Sequence, residues 1–391
     1  MKTKTAIGKQ QTMYRKYILP LSSILIFMGG CQDRKEYSNP LDYVLASQNP
    51  NIKRVMDSVT QYEVQIRYTR IDRKGDSISF TDYDFQVDEK NYFYPASTVK
   101  FPIAVLALEK LNAIDTMDMK TRFYVEGDSV ETTFAKAISE VFSVSDNDAN
   151  NRLVEFLGQD AINIELESKG VKPVRIAHRL GFHSDDLATK PLIIYLNDST
   201  TSIYEGTVNT APQPLALNNI HKGSGFYEEG DLVEEPFDFS LKNYYPIDAQ
   251  HGVLKRVIFP QKFQEGERFK LSEEQHQYVL KAMHTVPKAV GYDPKTYYDA
   301  YCKFFMFGDT QENIPDTIKI YNKVGFAYGT LTDCAYITDT KNKVEFLLSA
   351  TVLVNKDGIF NDDQYEYDEV GIPFLAELGR AFYQLELNRK K

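Results

Sequence analysis

Tryptophan is absent from this 391-residue chain, and cysteine and histidine are scarce, with three and six copies. So few cysteines rule out a small fold stapled by several disulfides. The histidines form no H-E-x-x-H, and the close pair His178 and His183 has no ligand spacing, so neither a metal nor any other cofactor is expected. Basic charge is also short: 45 Lys and Arg stand against 55 Asp and Glu, a net charge of −10. That balance argues against nucleic acid as a partner and against electrostatic adhesion to anionic lipid. Tyr17–Met28, the apolar stretch behind the N-terminal basic residues, is too short to span a bilayer as a stable anchor. No internal repeat is visible.

What is present is an ordinary globular mixture. Hydrophobic residues make up 42% and charged residues 26%, enough apolar material for a core and too much for a disordered chain. The length suits one large domain or two modest ones. The 26 tyrosines read as core and loop packing rather than as a binding platform.

The first 30 residues read as a targeting segment. Lys2, Lys4, Lys9, Arg15 and Lys16 precede the apolar stretch, which ends in "MGGC". Small residues before a cysteine resemble a bacterial lipobox. The resemblance implies a signal peptide over 1–30, lipid on Cys31 and an exported, periplasmic or outer-membrane lipoprotein held to the membrane by that lipid. Loss of five basic and no acidic residues would move the net charge to about −15. A polar tether is expected over 31–51, then a single catalytic unit over 52–391, with a monomer as the working state. Cys302 and Cys334 remain; an exported protein can join them, and each also sits in an apolar run where a buried thiol is the plainer reading.

Periodicity outlines the rest. Alternation at Val64, Ile66 and Tyr68 predicts a strand, with "SISFTDYDFQVD" as its hairpin partner across "RKGD". Val99–Leu111 is apolar all round and predicts a helix buried on most sides. "NDANNRLVEFLG" and "AINIELESKG" predict helices stopping at Gly158 and Gly170. From about 181 to 266 the pattern fades, and that stretch is treated as an unassigned insertion. A helix returns in "LSEEQHQYVLKAMHTV". Strands follow in "CKFFMFGD", "TIKIYNKVGFAYG", "TDCAYITDT" and "KVEFLLSATVLVN", and then a last amphipathic helix. Strands at both ends with helices between predict an α+β fold (an α/β sandwich). One antiparallel sheet is built from both termini and flanked by helices, and a central helical lobe is added to it.

Three short motifs occur in order: "STVK" (Ser97–Lys100), "SDN" (Ser145–Asn147) and "KVG" (Lys323–Gly325). Each alone is weak. An S-x-x-K is expected by chance in a chain this long, and "SDN" before a helix is ordinary N-cap material. Ser97 and Lys100 stand at i and i+3 of a helix start, so they share a face. The helix dipole and an apolar surround favour a neutral lysine there, and a neutral amine can take a serine proton.

In this order, and with "SVSDNDANNRLVEFLG" and "KVGFAYGTLTDCAYI" around them, the motifs resemble the class A serine β-lactamases and penicillin-binding proteins. The resemblance spans Ile52–Leu180 and Leu271–Leu387. It implies a β-lactamase/transpeptidase-like fold and an acyl-enzyme on Ser97, with Lys100 as base and Ser145 relaying a proton to the leaving nitrogen. It also implies substrate contacts from Asn147 and Lys323, close strand approach at Gly325, and an oxyanion hole from the amides of Ser97 and Phe326. The substrate implied is a β-lactam or a peptidoglycan peptide.

Two departures stand out. Val324 replaces the hydroxyl residue of K-T-G. No E-x-x-L-N supplies a deacylating base, and Leu180 falls about where its glutamate belongs; Glu234 and Glu235 are the substitutes on offer. The expected function is therefore β-lactam hydrolysis with slow deacylation. A D-alanyl-D-alanine peptidase is the alternative, and a non-catalytic envelope binding lipoprotein is the alternative of another class.

Overall fold

The computed structural model describes residues 39–181 and 186–389. The signal segment 1–30, Cys31 and His183 lie outside the described residues.

Helices α1 (Pro40–Leu45) and α2 (Pro50–Met56) come first. In each, the side chain of the preceding asparagine accepts the first free amides and proline fills the first turn. This corrects the polar tether expected up to residue 51. Leu41, Val44 and Leu45 fall on one helical face and are buried. Strands β1 (Gln65–Lys74) and β2 (Ser77–Phe85) form the expected hairpin. Next come α3 (Lys100–Leu111), the small strands β3 (Arg122–Val125) and β4 (Thr132–Thr133), α4 (Phe134–Ser143), α5 (Asn147–Leu157) and α6 (Gln159–Ser168).

The stretch without a readable pattern is structured. It holds β5 (Leu192–Asn197), β6 (Thr200–Tyr204), β7 (His221–Lys222), β8 (Gly225–Glu228), β9 (Asp231–Val233), β10 (Phe237–Asp238) and α7 (Ile247–Ile258). The last of these is no insertion outside the core. Val253, Leu254 and Val257 bury one face of α7, which packs on the main sheet. Its short amphipathic pattern is diluted in sequence by the polar loops before it.

Helix α8 (Glu273–His284) starts at a reciprocal cap. The Ser272 hydroxyl accepts from the Gln275 amide at 3.2 Å, and the Gln275 side chain accepts from the Ser272 amide at 2.9 Å. Strands β11 (Ile318–Ala327), β12 (Thr330–Asp339) and β13 (Val344–Leu353), the short β14 (Ile359–Phe360) and helix α9 (Ile372–Asn388) complete the chain. "CKFFMFGD" is not a strand. It is a run of turns whose Phe304, Phe305 and Met306 are buried against the α9 side of the sheet, so their apolarity reflects packing and not pleating.

The main sheet is ordered β11-β12-β13-β1-β2 and is antiparallel throughout. Strands from both ends of the chain therefore lie side by side, as expected for the α+β class. Along β13, Phe346, Leu348, Ala350 and Val352 face α1 and α9. Leu347 faces the layer of α3, α5, α7 and α8. Both faces are covered, which is why "VEFLLSATVLV" reads as an apolar run with little alternation. Cys302 and Cys334 are both free thiols and both buried.

Under α7 the buried face carries a row of polar groups. His251, 1% exposed, lies 2.7 Å from the Thr69 hydroxyl through Nε2 and 2.7 Å from the Ser349 hydroxyl through Nδ1. Thr69 in turn donates to Asp82 at 2.5 Å. Burial, helped by the charge of Lys255, holds the imidazole well below its ordinary pKa. The unfolded chain takes up a proton near pH 6.5 that the folded chain refuses, so acid favours unfolding. We expect unfolding free energy to fall below pH 6.5 with a contribution from this site of about 1.4 kcal/mol per pH unit. Denaturant titrations of wild type and His251→Gln between pH 6.5 and 5 check it: parallel slopes for the two proteins would remove His251 as the source.

Candidate active site

Ser97 sits in a single 3-10 turn, Ala96–Val99, that runs into α3. The turn is pinned by Thr98, whose amide and hydroxyl both bond to the Pro95 carbonyl, at 3.1 and 2.7 Å. Helix α3 is buried on nearly every side, so its first residue, Lys100, is carried inside with 0% exposure. Helices α3 and α5 pack together, bringing the capped start of α5 to that lysine. Asp146 makes the cap, accepting from the Ala149 amide at 2.7 Å. That leaves Ser145 and Asn147 to face the lysine. Ser145 has a φ of +59°, a left-handed conformation a serine adopts at a cost of about 1–3 kcal/mol.

The Lys100 ammonium donates to the Ser145 carbonyl, to Asn147 Oδ1 at 2.6 Å and, at 3.4 Å, to Ser145 Oγ. From the other side, Lys323 on β11 donates to the same Ser145 Oγ at 2.7 Å and to the Val324 carbonyl at 2.8 Å. One hydroxyl thus lies between two buried amines, and among the described residues neither amine makes an ion pair. Burial, and then the charge of Lys323, pushes Lys100 well below the ordinary lysine range. Burial lowers Lys323 to about 8. The physical consequence is that the neutral form of Lys100 costs far less here than that of a solvated lysine.

Among the described residues strand β11 pairs with β12 alone, so alternate amides point away from β12, and the strand packs against the Ser97 turn. The approach is close. A methyl group built on Gly325 would lie 2.7 Å from the Pro95 carbonyl oxygen, 2.9 Å from the Ser97 amide nitrogen and 3.0 Å from the Thr98 amide nitrogen. Only glycine lets the two backbones stand this near. Phe326, the next residue, is 53% exposed at the cavity wall.

That cavity, about 880 Å³, is lined by Ser97, Asn147, Leu180, Phe326 and residues the motifs did not reveal. Tyr227, Glu229 and Lys242 come from the unassigned stretch, and Asn361–Gln364 from the loop after β14. The two walls are joined by parallel pairing of β14 with β8. Beneath them Tyr92, Tyr94, Phe239, Tyr244 and Phe360 form a separate aromatic core. A row of tyrosines and phenylalanines in a polar stretch was the available signal.

Leu180 does line the cavity, and the Asn151 side chain holds both its amide and its carbonyl. Its neighbour Arg179 is locked to Glu155 in a buried bidentate pair at 2.6 and 2.8 Å. Glu234 and Glu235 are exposed and are not among the cavity-lining residues. The lining carboxylates are instead Glu229, Asp362 and Asp363. Val324, 1% exposed, packs into the apolar cluster on the α9 side. Among the described residues no cluster of His, Cys, Asp and Glu has the makings of a metal site.

The cavity thus holds Ser97 on its wall, and beside it one hydroxyl, that of Ser145, shared by two buried lysines; these are residue types that acyl transfer uses. The sequence profile of the β-lactamase enzyme family matches residues 50–210. A β-lactamase from Sphaerobacter thermophilus superimposes with a TM-score of 0.51 at 14% identity, over 90% of this chain and 97% of that one. A β-lactamase from Burkholderia ambifaria gives 0.49 at 13% identity, over 84% of this chain and 96% of that one. At such identities the likeness is one of fold, and it rests on the first of the two. No curated protein matches the sequence. The chain has the β-lactamase/transpeptidase-like fold, and its 50–210 segment is similar to the β-lactamase enzyme family.

Proposed function

We propose that this protein is a serine hydrolase of β-lactamase type that opens the β-lactam amide through an acyl-enzyme on Ser97 and clears that ester slowly. The carrying observation is the pair of buried amines, Lys100 and Lys323, hydrogen-bonded to one Ser145 and, among the described residues, in no ion pair. The neutral Lys100 amine takes the Ser97 proton as the oxygen attacks the carbonyl carbon. Developing negative charge on the carbonyl oxygen is held by the amides of Ser97 and Phe326. As the carbon–nitrogen bond breaks, Ser145 hands its proton to the leaving nitrogen and is reprotonated by the lysines. Lys323 meets the substrate carboxylate, and Asn147 the side-chain amide. Water then has to attack the ester beside Leu180, an apolar residue that activates nothing, and this favours a long-lived acyl-enzyme.

The test is burst kinetics with a chromogenic cephalosporin. The expected trace is a burst of about one equivalent followed by slow turnover. Fast turnover without a burst would overturn the slow-deacylation reading. A burst with no turnover at all would favour the second reading, a D-alanyl-D-alanine peptidase, which the roomy cavity also suits. Export and lipidation at Cys31 belong to the same proposal. The protein recovered from membranes would begin at Cys31 and carry the added mass of lipid.

Gly325 offers a sharper expectation. In Gly325→Ala the methyl meets three backbone atoms within 3.0 Å, none of which can swing aside. Strand and Ser97 turn must part by several tenths of an ångström, and we expect acylation to slow by roughly 10²-fold. Stopped-flow acylation rates read this directly; a rate within a few-fold of wild type would show that the contact is not needed.

A further inference from the structure

Behind Lys323 lies a buried polar group that the mechanism leaves unused. Lys303, Asn322 and Asp333 are 2%, 1% and 0% exposed. The Lys303 ammonium donates to Asn322 Oδ1 at 2.7 Å and to the Met283 carbonyl on α8 at 2.9 Å. Asn322 Nδ2 donates to Asp333 Oδ1 at 2.8 Å and to the Cys302 carbonyl at 2.9 Å. Asp333 Oδ2 accepts the amides of Phe304 and Phe305 at 3.1 and 3.3 Å.

Strand alternation sets the geometry. Asn322 and Val324 point to one face of β11, and Lys323 points to the other. Asp333 stands opposite Val324 in the β11–β12 register, so it shares the face of Asn322. None of the three lines the cavity. They tie the back of the edge strand to β12, to α8 and to the turns 302–305. Strand β11 is also held by pairing with β12, by packing on α8 and by Ile320 and Val324 in the apolar cluster on the α9 side. Apolar packing would be as stabilising as buried charge here. Directed hydrogen bonds, unlike apolar packing, allow a single placement.

We propose that Lys303, Asn322 and Asp333 are positioning residues for acylation: a clamp on the far face of β11 that sets the Phe326 amide and the Lys323 ammonium against Ser97. The role in acylation rests on the reading of Ser97 as nucleophile; the clamp itself does not.

The experiment therefore has two readouts on the same proteins. Hydrogen exchange of the peptide covering 318–327 is compared with that of 344–353, and the acylation rate constant and initial binding constant are taken from stopped-flow with a chromogenic cephalosporin. In Asn322→Leu we expect faster exchange in 318–327 only, and acylation slowed by roughly 10²-fold with initial binding unchanged. Asp333→Asn, a milder change that keeps the shape, should move both readouts the same way and covers the case in which Asn322→Leu does not fold. The reversal Asn322→Asp/Asp333→Asn restores the bond between the two positions and an acceptor for Lys303, and should recover most of the rate. Unchanged exchange in 318–327, an unchanged acylation rate, or a reversal no better than its single variants would each overturn the proposal. A wild type that is never acylated would instead sink the nucleophile reading and the positioning role with it, while the exchange data would still decide whether the clamp exists.

Discussion

In the Ser97→Ala protein, the mass increment that penicillin leaves on the wild type is expected to vanish, and cephalosporin hydrolysis to fall on the order of 10⁶-fold. The expectation is this large because no neighbour can replace the lost nucleophile. Ser145 Oγ is held by Lys323 at 2.7 Å, on the leaving-group side of the site. The Thr98 hydroxyl is buried and spent on the Pro95 carbonyl. Cys302 is buried, and burial pushes its thiol above the ordinary pKa, away from the reactive thiolate. Removing one oxygen atom from a half-buried turn leaves the fold intact. Intact-mass measurement after incubation checks it. An adduct that persists in Ser97→Ala would place the chemistry elsewhere, and no adduct on the wild type at any concentration would favour a binding protein over an enzyme.

Lys100→Met is expected to slow acylation by roughly 10²–10⁴-fold, the usual worth of a general base. The variant keeps the length of the side chain and suits an apolar surround. It does leave the Asn147 and Ser145 oxygens short of a donor, so folded content needs a check by circular dichroism. The sign of the pH dependence follows from the two amines. Acylation in the wild type needs Lys100 neutral, so the rate climbs as pH rises through its lowered pKa. It needs Lys323 charged for the substrate carboxylate, so the rate falls again as pH passes about 8. The profile is a bell, and Lys100→Met should lose its acid limb while keeping the fall near 8. A variant profile with both limbs intact would assign the base to another group.

Much of the site was legible because its parts are local. Ser97 and Lys100 lie three residues apart at a helix start, and Asp146 caps the helix that presents Asn147. Such short-range geometry follows from helical spacing alone. The pairing of strands from the two chain ends was legible as alternation and turn residues. The misreadings share a cause. "CKFFMFGD" looked like a strand because its side chains are buried, and burial without regular backbone leaves the same apolar signature. Helix α7 was hidden because twelve residues of weak periodicity were read together with the loops before them.

By itself the sequence determined the motifs proposed to carry chemistry, the helices that hold the first two of them and the α+β class. Those depend on residue type and on spacings of a few residues. Tertiary structure alone decided that one hydroxyl stands between two buried amines. It also decided that β11 lies within backbone contact of the Ser97 turn, and that the 181–266 stretch joins the loop after β14 to wall the cavity. Each of these joins segments far apart in the chain. What sets them is how layers pack and which groups lose water together, and no local pattern records that.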